Sequence, residues 1–337
     1  MDLVIDQFGC FVGLKSERVQ VRKGKETLQE TPLFDLEQVI LTGSGISLST
    51  DLVAACADQG IPIHILSYLG HPIASLHAPT LTGTVKTRRE QLLAYADGRG
   101  VTLAKAFARG KLLNQANLLK YMAKYRKQRD CEQYRDLRDA AIDIEALADQ
   151  IDRLDATHVD GLRPSLLNRE GRAAQRYWEA VGVTLKAELD WPGREHRGAQ
   201  DPLNMALNYG YGILYSHVEY AVTLAGLDPY GGFTHVDRPG KPSLTLDLIE
   251  EFRQPVVDRT VIGLLNRGMR MEVDEEGLLT WETRRELADK VLARFDGMET
   301  YEGKKRRLKT ILATQAAHVA TFVRGERATS TPFVAGW

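Results

Sequence analysis

A chain of 337 residues with 43% hydrophobic and 26% charged side chains is long enough to bury a sizeable core, and that balance excludes disordered, collagen-like and membrane-embedded classes. No apolar run approaches the ~18 residues a bilayer span needs, and Met1 to Cys10 lacks the basic and apolar regions of a secretory signal, so a cytoplasmic protein with no membrane partner is expected. The formal net charge of −1 excludes a uniformly basic chain, and three dispersed cysteines, Cys10, Cys56 and Cys131, suit reduced thiols rather than a disulfide framework or a Cys-based zinc site.

Residues 1–78 read as short strands with turn punctuation. Leu3 to Asp6, Cys10 to Leu14, Arg18 to Arg22, Leu36 to Leu41, Ile61 to Ile65 and Pro72 to Leu76 are rich in Val, Ile and Phe, with Gly, Lys and Ser between them. One segment breaks the pattern: Thr50 or Ser49 caps a short helix carrying Leu52, Val53 and Cys56, and Gly60 ends it. Around His77 to Thr84 the chain becomes rich in Pro, Gly and Thr, and a linker is expected over 79–90. Beyond it the spacing is helical: Leu112, Leu113, Ala116, Leu119 and Met122 recur every three or four residues, as do Leu308, Ile311, Leu312, Ala316, Val319 and Phe322. The expected fold class is α+β, with a small N-terminal mostly β domain (1–78) followed by a larger all-α catalytic domain (91–337).

Charge is unevenly distributed. Gly98 to Arg129 contains basic residues and no acidic one, whereas Asp130 to Asp155 is dominated by Asp and Glu. Such a segregated field suits a polyanion on one side, or two solvated helix faces of opposite sign.

Three places carry residues suited to chemistry. Ser165 to Trp178 reads as a helix on which Glu170 shares a stripe with Ala174, Tyr177 and Val181, so its carboxylate faces inward and needs a cation, a metal or a proton. A nearby arginine is the plain alternative. His235 lies in Tyr230-Gly-Gly-Phe-Thr-His235-Val-Asp-Arg-Pro-Gly, a loop whose composition holds it close to other structure, where an imidazole can ligate a metal or simply hydrogen bond. Ser243 to Arg253 reads as a further helix with Asp247, Glu250 and Glu251 at i, i+3 and i+4. That cluster is either an exposed acidic turn or a set of anions that a cation neutralises. One histidine with several carboxylates offers mixed nitrogen and oxygen ligation.

In combination these segments become recognisable. Asn168-Arg-Glu170-Gly-Arg-Ala-Ala-Gln-Arg-Tyr-Trp178, Asp201-Pro-Leu-Asn204-Met-Ala-Leu-Asn208-Tyr-Gly-Tyr211, Asp228-Pro-Tyr-Gly-Gly-Phe-Thr-His235, Ser243-Leu-Thr-Leu-Asp247-Leu-Ile-Glu250-Glu-Phe-Arg253 and Pro255-Val-Val-Asp258 occur in this order. The chain thereby resembles the CRISPR-associated adaptation integrase family, also described as the adaptation endonuclease. The resemblance implies that Glu170, His235 and Glu250 bind Mg²⁺ or Mn²⁺, with Asp247 as a fourth carboxylate that ligates or orients. It implies a homodimer that holds DNA, a small second adaptation subunit as partner, and insertion of short invader-derived duplexes into a CRISPR array by 3′-hydroxyl attack on a phosphodiester. A metal-dependent nuclease acting on branched or single-stranded DNA in repair would use the same ligands without joining strands.

Phosphate contacts are expected from Lys111, Lys120, Lys124 and Lys127, and from Lys304, Lys305, Arg306, Arg307 and Lys309 at the start of the last long helix. Arg194 and Arg197 either touch DNA or pair with local acids, while Tyr209, Tyr211 and Trp178 read as core.

Overall fold

The computed structural model describes residues 1–78, 85–128, 130–185, 191–195 and 198–337. Residues 79–84 of the expected linker, together with Arg129 and Arg197, lie outside the described residues.

The N-terminal half contains β1 (Asp2–Ile5), β2 (Cys10–Lys15), β3 (Arg18–Lys23), β4 (Glu26–Pro32), β5 (Gln38–Thr42), β6 (Ser47–Leu48), helix α1 (Thr50–Asp58), β7 (Ile63–Leu66) and β8 (Pro72–Leu76). The strands form two four-stranded sheets, ordered β1-β5-β7-β8 and β4-β3-β2-β6. Ser49 caps α1 by accepting the Leu52 amide, as its residue type suggests. Two strands escape the sequence pattern for different reasons. Most of β4 is exposed edge, so it carries no apolar alternation, and β6 is only two residues long.

All five residues of β5 are buried because both of its faces are covered. Val39 and Leu41 join Leu3, Ile5, Val12, Val19 and Leu52 between the two sheets, whereas Ile40 and Leu66 belong to the core of the helical half. Each such side chain contributes roughly 1.5–3 kcal/mol on full burial. The sheet is therefore anchored to the helices by its second face.

That half consists of α2 (Val85–Ala94), α3 (Gly98–Lys124), α4 (Cys131–Asp152), α5 (Val159–Val183), α6 (Pro202–Leu224), α7 (Ser243–Leu248), α8 (Arg259–Asn266), α9 (Trp281–Phe295) and α10 (Leu308–Val323). Asp97, Asp130 and Asp201 cap α3, α4 and α6 by accepting amides of their first turns. Residues 85–90, expected to end the linker, are already helical in α2. Arg324 donates to Thr87, and the Gln91 amide donates to the carbonyls of Asp228 and Gly231.

Helix α6 meets the β half at Gly212, where an added Cβ would lie 1.9 Å from the Gly70 carbonyl oxygen. Gly70 itself sits at φ +79°. Glycine at both positions lets the turn before β8 rest directly on helix backbone.

Two further expectations are corrected. Lys304 to Arg307 do not begin the last helix: they form β10 (Lys304–Arg307), paired antiparallel with β9 (Met298–Tyr301). Glu302 and Gly303 both have positive φ, the geometry of a two-residue hairpin turn, and only Glu299 and Tyr301 of β9 turn inward. The segment expected as one helix over 243–253 instead changes pitch twice, from α7 into a 3₁₀ turn (Ile249–Glu251) and then a π-helical stretch (Arg253–Asp258). Pro255, which has no amide hydrogen to donate, lies inside that stretch.

The opposed charge runs also resolve. Arg109 pairs with Asp152 at 2.9 Å, Lys120 with Glu145, and Lys105 donates to the carbonyls of Asp152 and Leu154. Much of the basic side of α3 is thus neutralised by α4 rather than presented to a polyanion.

Candidate metal centre

Glu170 faces inward from α5 on a stripe with Leu166, Ala173 and Tyr177, all buried. Opposite it, the 3₁₀ turn after α7 directs Glu250 into the same space. Lys111 of α3 stands between them, with Nζ 3.2 Å from Glu170 Oε1 and 3.0 Å from Glu250 Oε2. This lysine, expected on the DNA surface, instead supplies the countercharge of two buried carboxylates. Burial works against its ammonium, yet Glu170 and Glu250 hold its pKa above the ordinary lysine value. For Glu250 the balance also favours charge. Burial opposes ionisation, but Arg253, Lys111 and His235 together hold the carboxyl well below the usual carboxylate range. Arg253 Nε donates to Glu250 Oε1 at 2.8 Å, and its guanidinium lies over the Tyr211 ring at 4.5 Å.

His235 is oriented by Asp247, which has no solvent exposure. The Asp247 carboxylate accepts the amides of Phe233, Thr234 and His235 at 2.6, 2.9 and 2.9 Å and the His235 Nδ1–H at 2.7 Å. Because a carboxylate only accepts, Nδ1 carries the ring proton, and Nε2 is the ring atom left for a ligand. Asp247 is thus placed to orient the ring. Arg163 supports the same loop by donating Nε to the Thr234 carbonyl at 2.9 Å. Gly232 permits its close docking, since a Cβ there would fall 2.5 Å from Ser243 Cβ.

Glu251, grouped with these acids by spacing, points the other way. Its Oε2 accepts the Phe333 amide at 2.8 Å and the Gln315 side chain at 3.0 Å, and burial pushes its pKa up to about 8. Neighbouring residues on a helical turn point about 100–120° apart, which directs the two glutamates to different sides.

Among the described residues no group of three or more His, Cys, Asp or Glu side chains stands close enough to hold a metal ion as arranged. The donor chemistry nonetheless fits one. Two buried carboxylates face the Lys111 ammonium, whose place a metal ion could take, and Asp247 holds His235 through Nδ1, turning Nε2 to the ligand side.

Residues not singled out by spacing complete the surroundings. Asp258 is buried and accepts the Tyr177 hydroxyl at 2.8 Å and the Tyr211 hydroxyl; burial raises its pKa although both hydroxyls oppose that. Arg194 donates to Asn204 at 2.9 Å and Asn208 at 2.6 Å and lies over Tyr211. Burial lowers its pKa. Lys309 is bound to Glu37 and Asp296, and Arg307 to Asp296 at 3.7 Å. Lys124, Lys127, Lys304 and Lys305 are exposed, and Arg306 lies over the Tyr301 ring.

The family model for the CRISPR-associated protein Cas1 matches residues 3–292. The chain belongs to the Cas1 family. It is 38% identical over 338 residues to the CRISPR-associated endonuclease Cas1 1 of Archaeoglobus fulgidus, covering 97% of each chain. In fold it is similar to a casposase bound to an integration product, with a TM-score of 0.81 at 21% identity over 98% of this chain and 92% of that one. It also matches a Cas6-RT-Cas1–Cas2 complex with a TM-score of 0.79 at 22% identity, over 99% of this chain and 36% of that one. The α+β architecture expected from the sequence is thus the Cas1 fold.

Proposed function

We propose that this chain is the DNA strand-joining enzyme of CRISPR adaptation, with Glu170, His235 and Glu250 as the ligands of a divalent ion, Mg²⁺ or Mn²⁺. One observation carries the proposal: carboxylates from two separate elements of a Cas1 family chain converge on one buried cation beside an imidazole whose second nitrogen is held by Asp247.

When bound, the ion would make a phosphodiester more electrophilic and stabilise its leaving alkoxide. The protein groups prepare for this. Asp247 holds His235 through Nδ1 and so directs Nε2 as the ring atom that would meet the ion. Arg253 holds Glu250 through Oε1, while Oε2 faces the Lys111 ammonium that an ion would displace. Lys111, released from its two carboxylates, would keep an ammonium beside the negatively charged phosphate. The attacking group is the 3′-hydroxyl of an incoming duplex, and the electrophile is a phosphodiester of the array.

DNA backbone contacts fall to the exposed Lys124, Lys127, Lys304 and Lys305. A homodimer and a small Cas2-like second subunit are the proposed partners, the latter supported by the Cas1–Cas2 assembly sharing the fold.

The test is to incubate the protein and its partner subunit with a supercoiled array plasmid, short duplexes and Mn²⁺. Joined product that disappears in Glu170→Ala is the expected result. Cleavage without joined product would instead favour a repair nuclease acting on branched or single-stranded DNA.

A further inference from the structure

The residues from Thr331 to Ala335 form a strap that is bound to the back of the candidate centre. Phe333 and Ala335 are almost fully buried. The buried Asn114 of α3 reads three backbone groups at once, donating to the carbonyls of Glu251 and Phe333 at 2.9 Å each and accepting the Ala335 amide at 2.8 Å. Glu251 accepts the Phe333 amide, while Gln315 of α10 donates both to Glu251 and to the Thr331 carbonyl. Phe333 stacks on Phe252, with ring centroids 5.3 Å apart at 19°. The strap also presses on α3, for a Cβ added at Gly110 would meet Pro332 Cβ at 2.7 Å and Glu251 Cγ at 3.1 Å.

Two of the residues it grips are one position from the charged cluster: Gly110 precedes Lys111, and Glu251 follows Glu250. Short 3₁₀ and π segments have poorer hydrogen-bond geometry than an α-helix and do not hold a side chain to one position unaided. Clamps on Glu251 and Phe252, immediately after Glu250, meet that need.

We propose that residues 331–335, with Asn114 and Gln315, are positioning residues of the reactive centre: the strap locks the 3₁₀ turn so that Glu250 faces Glu170 and His235. It rests on the ligand reading proposed above. The strap bonds to Asn114, Glu251 and Gln315 and packs on Phe252, so the proposal concerns alignment alone.

Two variants test it. One ends after Ser330. The other, Gly110→Ala, keeps the strap but wedges it away from α3, and alanine is the better helix former, so the helix itself is preserved. Hydrogen exchange in both should rise about tenfold over 249–258 and stay unchanged over 1–78. Mn²⁺ binding, followed by its paramagnetic resonance signal, and kcat for strand joining should each fall on the order of tenfold, as for lost supports of a metal ligand. KM for DNA should stay within about twofold. A peptide spanning residues 327–337 should restore kcat in the shortened chain. Unchanged exchange over 249–258 overturns the strap, as does a loss confined to KM. Failure of the ligand reading has a different signature, namely wild-type Mn²⁺ binding that survives Glu170→Ala, and the exchange result judges the strap even then.

Discussion

At the joint between α5 and the turn after α7, Glu250 is buried and kept ionised by Arg253 and Lys111, whereas at the joint between β1 and α6 Asp2 is buried and pushed up to about 6. The neighbour of Asp2 is His217, 3.3 Å away, whose own pKa burial drives down to about 3. It therefore brings no charge near neutral pH, and Glu37 adds repulsion. The two sites show that burial and a like charge raise a carboxyl's pKa, whereas cations placed by the fold lower it despite burial.

The comparison breaks first at the ligands. Glu170→Ala or Glu250→Ala should lower strand joining by roughly 10³-fold, about 4 kcal/mol of barrier, in a plasmid joining assay. A folded variant joining at the wild-type rate would remove the centre altogether. Lys111→Met should leave two buried anions face to face and cost roughly 3–5 kcal/mol in urea melts without metal. Saturating Mn²⁺ should recover much of that loss, since the ion takes over the countercharge, and an identical loss with and without Mn²⁺ counts against metal at this point.

The Asp2 joint sharpens the contrast through pH. A carboxyl raised from 3.8 to about 6 favours the folded state most fully below pH 3.8, and that advantage is lost as pH rises through 6. The shift amounts to about 3 kcal/mol. Asp2→Asn should flatten the stability profile between pH 4 and 7 and leave the variant relatively more stable at pH 7; a profile as steep as the wild type's would show that Asp2 is not its source. Smaller again is Asp247→Asn, which loosens the ring without removing a ligand and should cost about 10–100-fold in Mn²⁺ affinity or joining rate. Smallest are single alanine substitutions at Lys124, Lys127, Lys304 or Lys305, each lowering the slope of log affinity against log salt by about 1.

Much of the candidate centre was readable before folding, because each acid sat on a helical stripe or within a motif whose order is distinctive. Glu170 faces inward as its spacing required, and β1, β2, β3, β5, β7, β8 and α1 lie close to their expected places. What escaped was every feature set by a partner distant in sequence. Lys111 reads as one cation among many in α3 until α5 and the 3₁₀ turn arrive around it. Lys120 and Lys309 likewise read as DNA contacts until Glu145, Glu37 and Asp296 come to meet them. The β9–β10 hairpin was hidden because its four basic residues carry no apolar alternation, and its turn residues, Glu302 and Gly303, signal only locally.

Residue order alone therefore determined which half is strand and which is helix, since apolar periodicity of two or 3.6 is a local property of the chain. It also marked the acids and the histidine proposed here as ligands. Tertiary structure decided their surroundings: which groups Asp247 binds, that Glu251 turns to the strap rather than the cluster, and that Lys111 stands between two carboxylates. Those outcomes depend on distance and burial, which scale interactions between charges many residues apart and have no expression in sequence spacing.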